Sequence, residues 1–242
     1  MKVTVVNGTQ KHGVTYHLTQ AFLEPLRDHA EIVEFYLPRD CAAPCIGCTT
    51  CFLKDEHQCK DASEVQRIHD ALIEADLLMF TSPTYVFHTT GAMKSFLDHL
   101  GYRWMPHRPA PEMFGKRAVI ITQALGMGQK GAAKDIRHSL SWWGISSIRT
   151  ISFALRAEIT WDKIPQAQRD KMIAKLQAAA RRALVDSAKG PARTSIATKV
   201  KFLAVRSMQT QLGKDDPEYR DFQHWRDLGW IGKERPWKRG RA

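Results

Sequence analysis

Cys45, Cys48, Cys51 and Cys59 are the residues whose type and spacing most directly specify chemistry in this chain. Two residues separate each of the first three, and seven separate the last pair. Thiolates so spaced on one loop can aim their sulfurs at a single centre, with the fourth closing a tetrahedron. Four-thiolate ligation suits a [4Fe–4S] cluster or zinc. A C-x2-C-x2-C run is more typical of clusters, because zinc sites usually use two separated C-x2-C pairs. Thiols that only shape a loop, with no metal, are the alternative. All 5 cysteines fall between positions 41 and 59. That crowding, and the odd number, oppose a disulfide framework and fit a reducing compartment. Cys41 lies outside the motif and reads as a small packing residue.

Three loops carry a second chemistry. Asn7-Gly8-Thr9-Gln10-Lys11-His12-Gly13-Val14-Thr15 follows an apolar strand and opens a helix. Such a junction offers unpaired backbone N–H groups and the positive end of a helix dipole, which suit an anion. Thr9 and Thr15 add hydroxyls and Lys11 adds charge. Gly8-x4-Gly13-x-Thr15 imitates a P-loop, but Val14 stands where a P-loop has lysine. The loop therefore suits one terminal phosphate rather than a nucleoside triphosphate; a plain tight turn is the alternative.

The second loop, Ser82-Pro83-Thr84-Tyr85-Val86-Phe87-His88-Thr89-Thr90-Gly91, leaves a buried strand at a backbone-fixing proline. Tyr85 and Phe87 offer aromatic faces. Several backbone N–H groups and the Thr84, Thr89 and Thr90 hydroxyls suit the polar edge of a planar heterocycle; a hydrophobic loop with its aromatics in the core is the alternative. One ligand with a phosphate and a flat ring accounts for both loops. The third loop, Gly126-Met127-Gly128-Gln129-Lys130-Gly131, fits G-x-G-x-x-G. A dinucleotide site also needs an acidic residue about 20 positions on. Residues 146–154 contain none and include Arg149. This loop is instead expected to wall the ring site, with Thr122, Gln123, Ala124 and Gly126 near the ring edge. His88, Lys94, His107 and Arg108 are candidate cations beside a reduced ring.

These loops need a frame. Apolar runs predict strands at 2–6, 31–37, 77–81, 118–122 and 147–155. Helical periodicity covers 15–29, 62–75, 91–100, 131–143 and 165–186. Strands alternating with helices imply an α/β protein with a parallel sheet covered on both faces. Ligands of such sheets sit at the carboxyl ends of the strands, where the strand order reverses. Gly190-Pro191 marks the expected boundary between a main domain, 1–188, and an extension, 189–242.

Three stretches resemble the flavodoxin-like NAD(P)H-dependent FMN reductases. They are Gly8-Thr9…Gly13…Thr15, Pro44-Cys45-Ile46-Gly47-Cys48, and Ser82-Pro83-Thr84-Tyr85 leading to Gly91-x-Met93-Lys94-x-Phe96-Leu97-Asp98. The cysteine run is also similar to that of iron–sulfur flavoproteins, a branch of the same fold. The resemblance implies a flavodoxin-like, doubly wound, five-stranded parallel sheet in the order 2-1-3-4-5. It also implies bound FMN, NAD(P)H as electron donor, and a homodimer with flavin near the interface. FMN would be held by Thr9, Lys11, Gly13, Val14 and Thr15, by Pro83, Thr84, Tyr85, Val86 and Phe87, and by Thr122, Gln123, Ala124 and Gly126. Asparagine or serine is common where this chain has Val14, so phosphate contacts there are backbone only. Electrons would pass by hydride transfer to the flavin and on to a small-molecule or protein acceptor. The alternative is stepwise transfer through a [4Fe–4S] cluster on Cys45, Cys48, Cys51 and Cys59.

Composition narrows the class further. Hydrophobic residues at 43% and charged residues at 25% exclude wholesale disorder. No apolar run approaches the ~20 residues of a membrane span. The opening MKVTVVNGTQ reads as a strand without a secretory h-region, so the expected location is cytoplasmic. Net charge is +11, of which residues 189–242 carry +7. This extension combines a predicted amphipathic helix, 199–212, with Tyr219, Phe222, Trp225 and Trp230 and a basic run from Lys233 to Arg241. Such a segment can bind nucleic acid or an anionic membrane, as in a flavin-binding redox sensor. An arm packed across the domain or a dimer mate, also helping to hold NADPH phosphates, is the favoured reading, because the aromatics are too frequent for a free tail.

Overall fold

The computed structural model describes residues 1–156 and 160–238. Its elements are β1 (Lys2–Asn7), α1 (Val14–Leu23), β2 (Glu31–Tyr36), α2 (Thr50–Leu53), α3 (Ala62–Glu74), β3 (Leu77–Pro83), α4 (Gly91–His99), β4 (Arg117–Leu125), α5 (Gln129–Trp142), β5 (Ser147–Leu155) and α6 (Gln166–Ala188). The five strands form one parallel sheet in the order β2-β1-β3-β4-β5. This is the flavodoxin-like arrangement that the resemblance implies.

Strand β3 lies in the middle and is buried along its whole length, which is why it reads as an unbroken apolar run rather than an alternating one. Side chains alternate between two cores. Leu78, Phe80, Ala118 and Ile120 pack with Ile68, Phe96 and Ile136 on one face. Leu77, Met79, Val119 and Ile121 pack with Leu18, Phe22 and Leu176 on the other. Edge strand β2 buries only Phe35 fully. The order reverses between β1 and β3, so their carboxyl ends open side by side.

Two boundaries differ from expectation. The helix predicted over 15–29 ends at Leu23 and tightens into a 3-10 turn at Glu24–Leu26, because Pro25 lacks the N–H that would continue it. Strands β3 and β4 run on to Pro83 and Leu125, where Pro83 pairs with Gln123. The extra pairing brings the second loop against the end of β4.

Beyond Gly190 the chain forms α7 (Ile196–Asp215), capped by Ser195 Oγ accepting from Thr198 N, and α8 (Arg220–Asp227). Phe202, Val205, Trp225 and Trp230 share a third core with Met105 and Phe114. Trp225 Nε1 donates to His107 O at 2.8 Å. The fully buried Trp225 and Trp230 have no ring face to stack on a base. Of the basic run, Arg239, Gly240 and Arg241 lie outside the described residues. No helix among the described residues is long and apolar enough to cross a membrane.

One buried residue makes the fold sensitive to acid. His69 Nδ1 donates to Asp70 Oδ1 at 3.1 Å, and its Nε2 accepts from Arg103 Nε at 3.0 Å. Burial, reinforced by the Arg103 charge, pushes its pKa from 6.5 down to about 4. Between those values the unfolded chain binds a proton that the folded chain refuses, so stability is lost as pH falls through this window. This group should contribute about 2–3 kcal/mol to the difference in unfolding free energy between pH 7 and pH 4.5. Urea titrations should show a difference smaller by that amount in His69→Gln.

Candidate functional site

A cleft of about 210 Å³ opens at the point where the strand order reverses. Thr9, Lys11, Gly13, Val14 and Thr15 line it from the β1–α1 loop, Pro83 and Tyr85 from the end of β3, and Gln123 and Leu125 from β4. Gly13 caps α1 without a side-chain hydrogen bond. The N–H groups of the first helical turn, Val14 and Thr15 among them, therefore have no partner within the helix. Lys11 supplies the positive charge of the lining.

The floor of the cleft is tightly built. Gly8 N donates to Thr81 O at 2.6 Å, and Gly8 O accepts from Thr90 Oγ1 at 2.6 Å. A Cβ at Gly8 would come within 3.0–3.1 Å of Thr81 O, Ser82 Oγ and Thr90 Oγ1, so only glycine fits without displacement. Asn7 bridges neighbouring strands, donating to Phe35 O at 3.2 Å and accepting from Thr81 Oγ1 at 2.9 Å.

The wall beside it is strained. Tyr85 and His88 exchange two backbone hydrogen bonds, of 2.9 and 3.0 Å, across a turn whose central residues are Val86 (φ 49°) and Phe87 (φ 68°). Left-handed backbone normally falls to glycine or asparagine, and a β-branched valine there is an outlier. Such residues cost ~1–3 kcal/mol each and persist only where the surroundings over-determine them. Here Asp135 Oδ2 accepts from Thr89 N at 3.0 Å and from His88 Nδ1 at 3.1 Å. Thr89 Oγ1 also donates to Ser82 Oγ at 2.9 Å. The glycines of the third loop complete the hold. A Cβ on Gly128 would press on Phe87 Cα at 3.0 Å, and one on Gly131 would collide with the Phe87 carbonyl oxygen. The last two glycines of the G-x-G-x-x-G pattern thus accommodate this turn.

Of the expected ring and phosphate residues, Thr9, Lys11, Gly13, Val14, Thr15, Pro83, Tyr85 and Gln123 share the cleft. Thr84, Val86, Phe87, Thr122, Ala124 and Gly126 do not line it. Thr122 and Ala124 point the other way, since side chains alternate along β4. The Thr122 hydroxyl is already engaged, donating to Gln129 O at 2.8 Å. Leu125 is a lining residue that the motifs missed; extending the alternation from Gln123 finds it. The four expected cations lie elsewhere. His88 pairs with Asp135, Lys94 with Asp98, and both His107 and Arg108 with Asp221.

Cys45, Cys48, Cys51 and Cys59 line a second, smaller cavity of about 50 Å³ with Ile46, Phe52, Asp61 and His99. Cys45 and Cys48 are exposed, Cys51 and Cys59 half-buried. Gly47 and Thr49 both take left-handed backbone and turn the chain on either side of Cys48. The Thr50 hydroxyl holds the Cys48 thiol below its ordinary pKa. Burial, then the proximity of Cys59 and Cys45, pushes Cys51 up. Mutual repulsion of this kind is what a bound cation relieves. Cys41 differs: it is buried, and burial pushes its thiol up to about 11. Cys59, Asp61 and His99 place ligand atoms within 4.8 Å of one another. Asp61 follows Cys59 closely, but His99 comes from the end of α4, and no local spacing could have announced it.

A doubly wound sheet in the order β2-β1-β3-β4-β5, with an uncapped helix start and a cleft at its reversal point, defines a flavodoxin-like α/β protein. The chain belongs to the NADPH-dependent FMN reductase family, whose model matches residues 1–159. An iron-sulfur flavoprotein of Archaeoglobus fulgidus is 26% identical over 145 residues, which cover 59% of this chain and 63% of that protein. An iron-sulfur flavoprotein of Clostridioides difficile is 35% identical over 102 residues, covering 40% and 45% respectively. The chain thus spans less than two thirds of either relative. Among solved structures, an FMN-dependent NADH-azoreductase of Bacillus anthracis in complex with FMN superposes with a TM-score of 0.58 at 12% identity, over 76% of this chain and 100% of that one. At that identity the likeness is one of fold.

The cleft suits FMN on its own terms. Its uncapped helix start, hydroxyls and Lys11 match a phosphate. Gln123, which lines the cleft, has its Oε1 buried without a hydrogen-bond partner. Such groups cost ~1–3 kcal/mol each unless something satisfies them, and the polar edge of a flavin would.

Proposed function

We propose that this protein is an FMN-dependent NAD(P)H oxidoreductase that passes electrons to a small-molecule or protein acceptor, and that its cysteine loop holds a [4Fe–4S] cluster. When bound, FMN would supply hydride acceptance and electron transfer, the chemistry that amino-acid side chains lack. The chain's own residues would bind, orient and shield it. Thr9, Thr15, Lys11 and the first N–H groups of α1 hold the phosphate. Gln123 satisfies the polar ring edge. Tyr85 and Leu125 cover the ring and exclude water, leaving an exposed face for a nicotinamide. Residues 1–188 form the flavin-binding unit and 189–242 an extension that serves it.

The observation that carries the cluster reading is that all four spaced cysteines line one cavity. The names of the two relatives agree with it. Unpaired cysteines fit a reducing compartment, the cytoplasm. The assembly we propose is a homodimer. The burial of Trp225 and Trp230 favours a packed arm over a nucleic-acid-binding sensor.

Anaerobically purified protein should show flavin absorption over a broad cluster band, with about four iron and four sulfide per chain. NAD(P)H should bleach the flavin band. Flavin without iron would reduce the proposal to a cluster-free reductase. No flavin after reconstitution with FMN would overturn it.

A further inference from the structure

The segment that carries Cys51 is held from the far end of the chain. Arg108 is buried, and its guanidinium faces two ways. On one side it donates to Cys51 O, to Phe52 O at 3.5 Å and to Glu56 Oε2 at 3.2 Å. On the other it donates to Asp221 Oδ1 at 2.6 Å, in the first turn of α8. Asp221 is itself buried; its Oδ2 accepts from His107 Nδ1 at 2.7 Å and Tyr219 Oη at 3.0 Å. Next to it, Arg220 reaches Asp55 Oδ2 at 2.6 Å. Residues 51–56 hold most of a four-residue helix and the start of a 3-10 turn. Cys51 and Phe52 rest on the core and Arg103 pairs with Glu56, while the Arg108 and Arg220 bonds tie the segment to the extension.

Burying a guanidinium and a carboxylate costs several kcal/mol in desolvation, and apolar residues could fill the same space at least as stably. What such a pair adds is a fixed geometry. Burial opposes ionisation of Asp221, yet the His107 hydrogen bond and the Arg108 charge hold its carboxyl below the usual range. Arg220 and Asp221 both lie beyond the residues matched by the family model.

We infer that the C-terminal extension locks the cysteine loop, with Asp221 as a positioning residue that acts through Arg108 to keep the thiols in register for metal. The inference rests on the cysteine reading above but is tested without assuming it. In the metal-free full-length protein, iodoacetamide should alkylate Cys51 at least about ten times faster in Asp221→Asn than in wild type, since a ten-fold opening corresponds to ~1.4 kcal/mol. Cys41 should stay at its wild-type rate, FMN affinity should be unchanged, and Asp221→Glu should restore most of the protection. Arg220→Ala, a milder break at a half-exposed pair, should move the Cys51 rate in the same direction. In the protein as purified, a ferrous chelator should remove iron faster from both variants.

Wild-type Cys51 labelling in Asp221→Asn and Arg220→Ala, with hydrogen exchange showing α8 released, would overturn the inference. So would a joint rise at Cys41 and Cys51 with loss of FMN, which would make the extension a general stabiliser. If wild-type protein holds no iron but the labelling pattern appears, the lock stands and the cluster reading fails.

Discussion

Alanine in place of Cys51 is expected to leave less than about a tenth of the wild-type iron and sulfide, because one iron of a four-thiolate cluster would lose its protein ligand and the cluster would become labile. FMN should stay bound within about two-fold, a change under ~0.5 kcal/mol. The two halves of this expectation have separate physical grounds. Cys51 lines the cysteine cavity with Cys45, Cys48 and Cys59, and none of the four lines the flavin cleft. Burial, and then the nearness of Cys59 and Cys45, resists ionisation of this half-buried thiol, and a cation is the partner that would offset both. Cys41→Ala is the control. That thiol is buried in the core, and its raised pKa makes it a poor ligand, so iron should be unchanged. Iron and sulfide assays with flavin fluorescence on both variants decide the matter. Equal iron in Cys51→Ala and wild type would exclude ligation by this cysteine.

How much of this was legible beforehand depended on whether the deciding contacts were local. The alternation of apolar runs implied the parallel sheet, and the run Leu77-Leu78-Met79-Phe80 signals burial on both faces by itself. The β1–α1 loop was readable for the same reason: one short stretch holds the helix start, its hydroxyls and its lysine. Side-chain direction past the expected strand ends was not. Thr122 and Ala124 were expected at the ring edge, but β4 continues to Leu125, and its alternation turns those two inward. Arg108 was one of four candidate cations beside the ring, on a segment that could reach a partner subunit's flavin. Its partner Asp221 is 113 residues away, a distance that no local pattern spans. The extension's aromatics favoured an arm over a free tail, and packing against Met105 and Phe114 explains their number.

The third loop shows how one glycine pattern serves two different demands, and it leads to the other large effect. Gly131→Val should raise the dissociation constant for FMN at least about a thousand-fold, which is ~4 kcal/mol. Gly131 does not line the flavin cleft. It lies in the first turn of α5, where its backbone is helical, so propensity alone would favour a substitution: alanine gains ~1 kcal/mol over glycine there. The steric effect is opposite in sign and larger. A Cβ at this position collides with the Phe87 carbonyl oxygen, a backbone atom that cannot rotate away. Phe87 already sits in left-handed backbone beside Val86 in the same state, so the turn has no slack with which to retreat. It must give up the Tyr85–His88 pair or the Asp135 hold, and Tyr85 leaves the cleft wall with it. Gly126→Ala makes the contrast. Gly126 has φ +80°, but a Cβ there meets nothing within 4 Å, so its cost is backbone strain of ~1–2 kcal/mol. Its effect on FMN should stay near ten-fold. Titration of the flavin-free variants with FMN, followed by quenching of flavin fluorescence, measures both. If Gly131→Val binds FMN like wild type while circular dichroism shows it folded, the turn at residues 85–88 is no wall of the flavin site. If both variants lose FMN equally, backbone conformation in the third loop matters more than the seat it makes for Phe87.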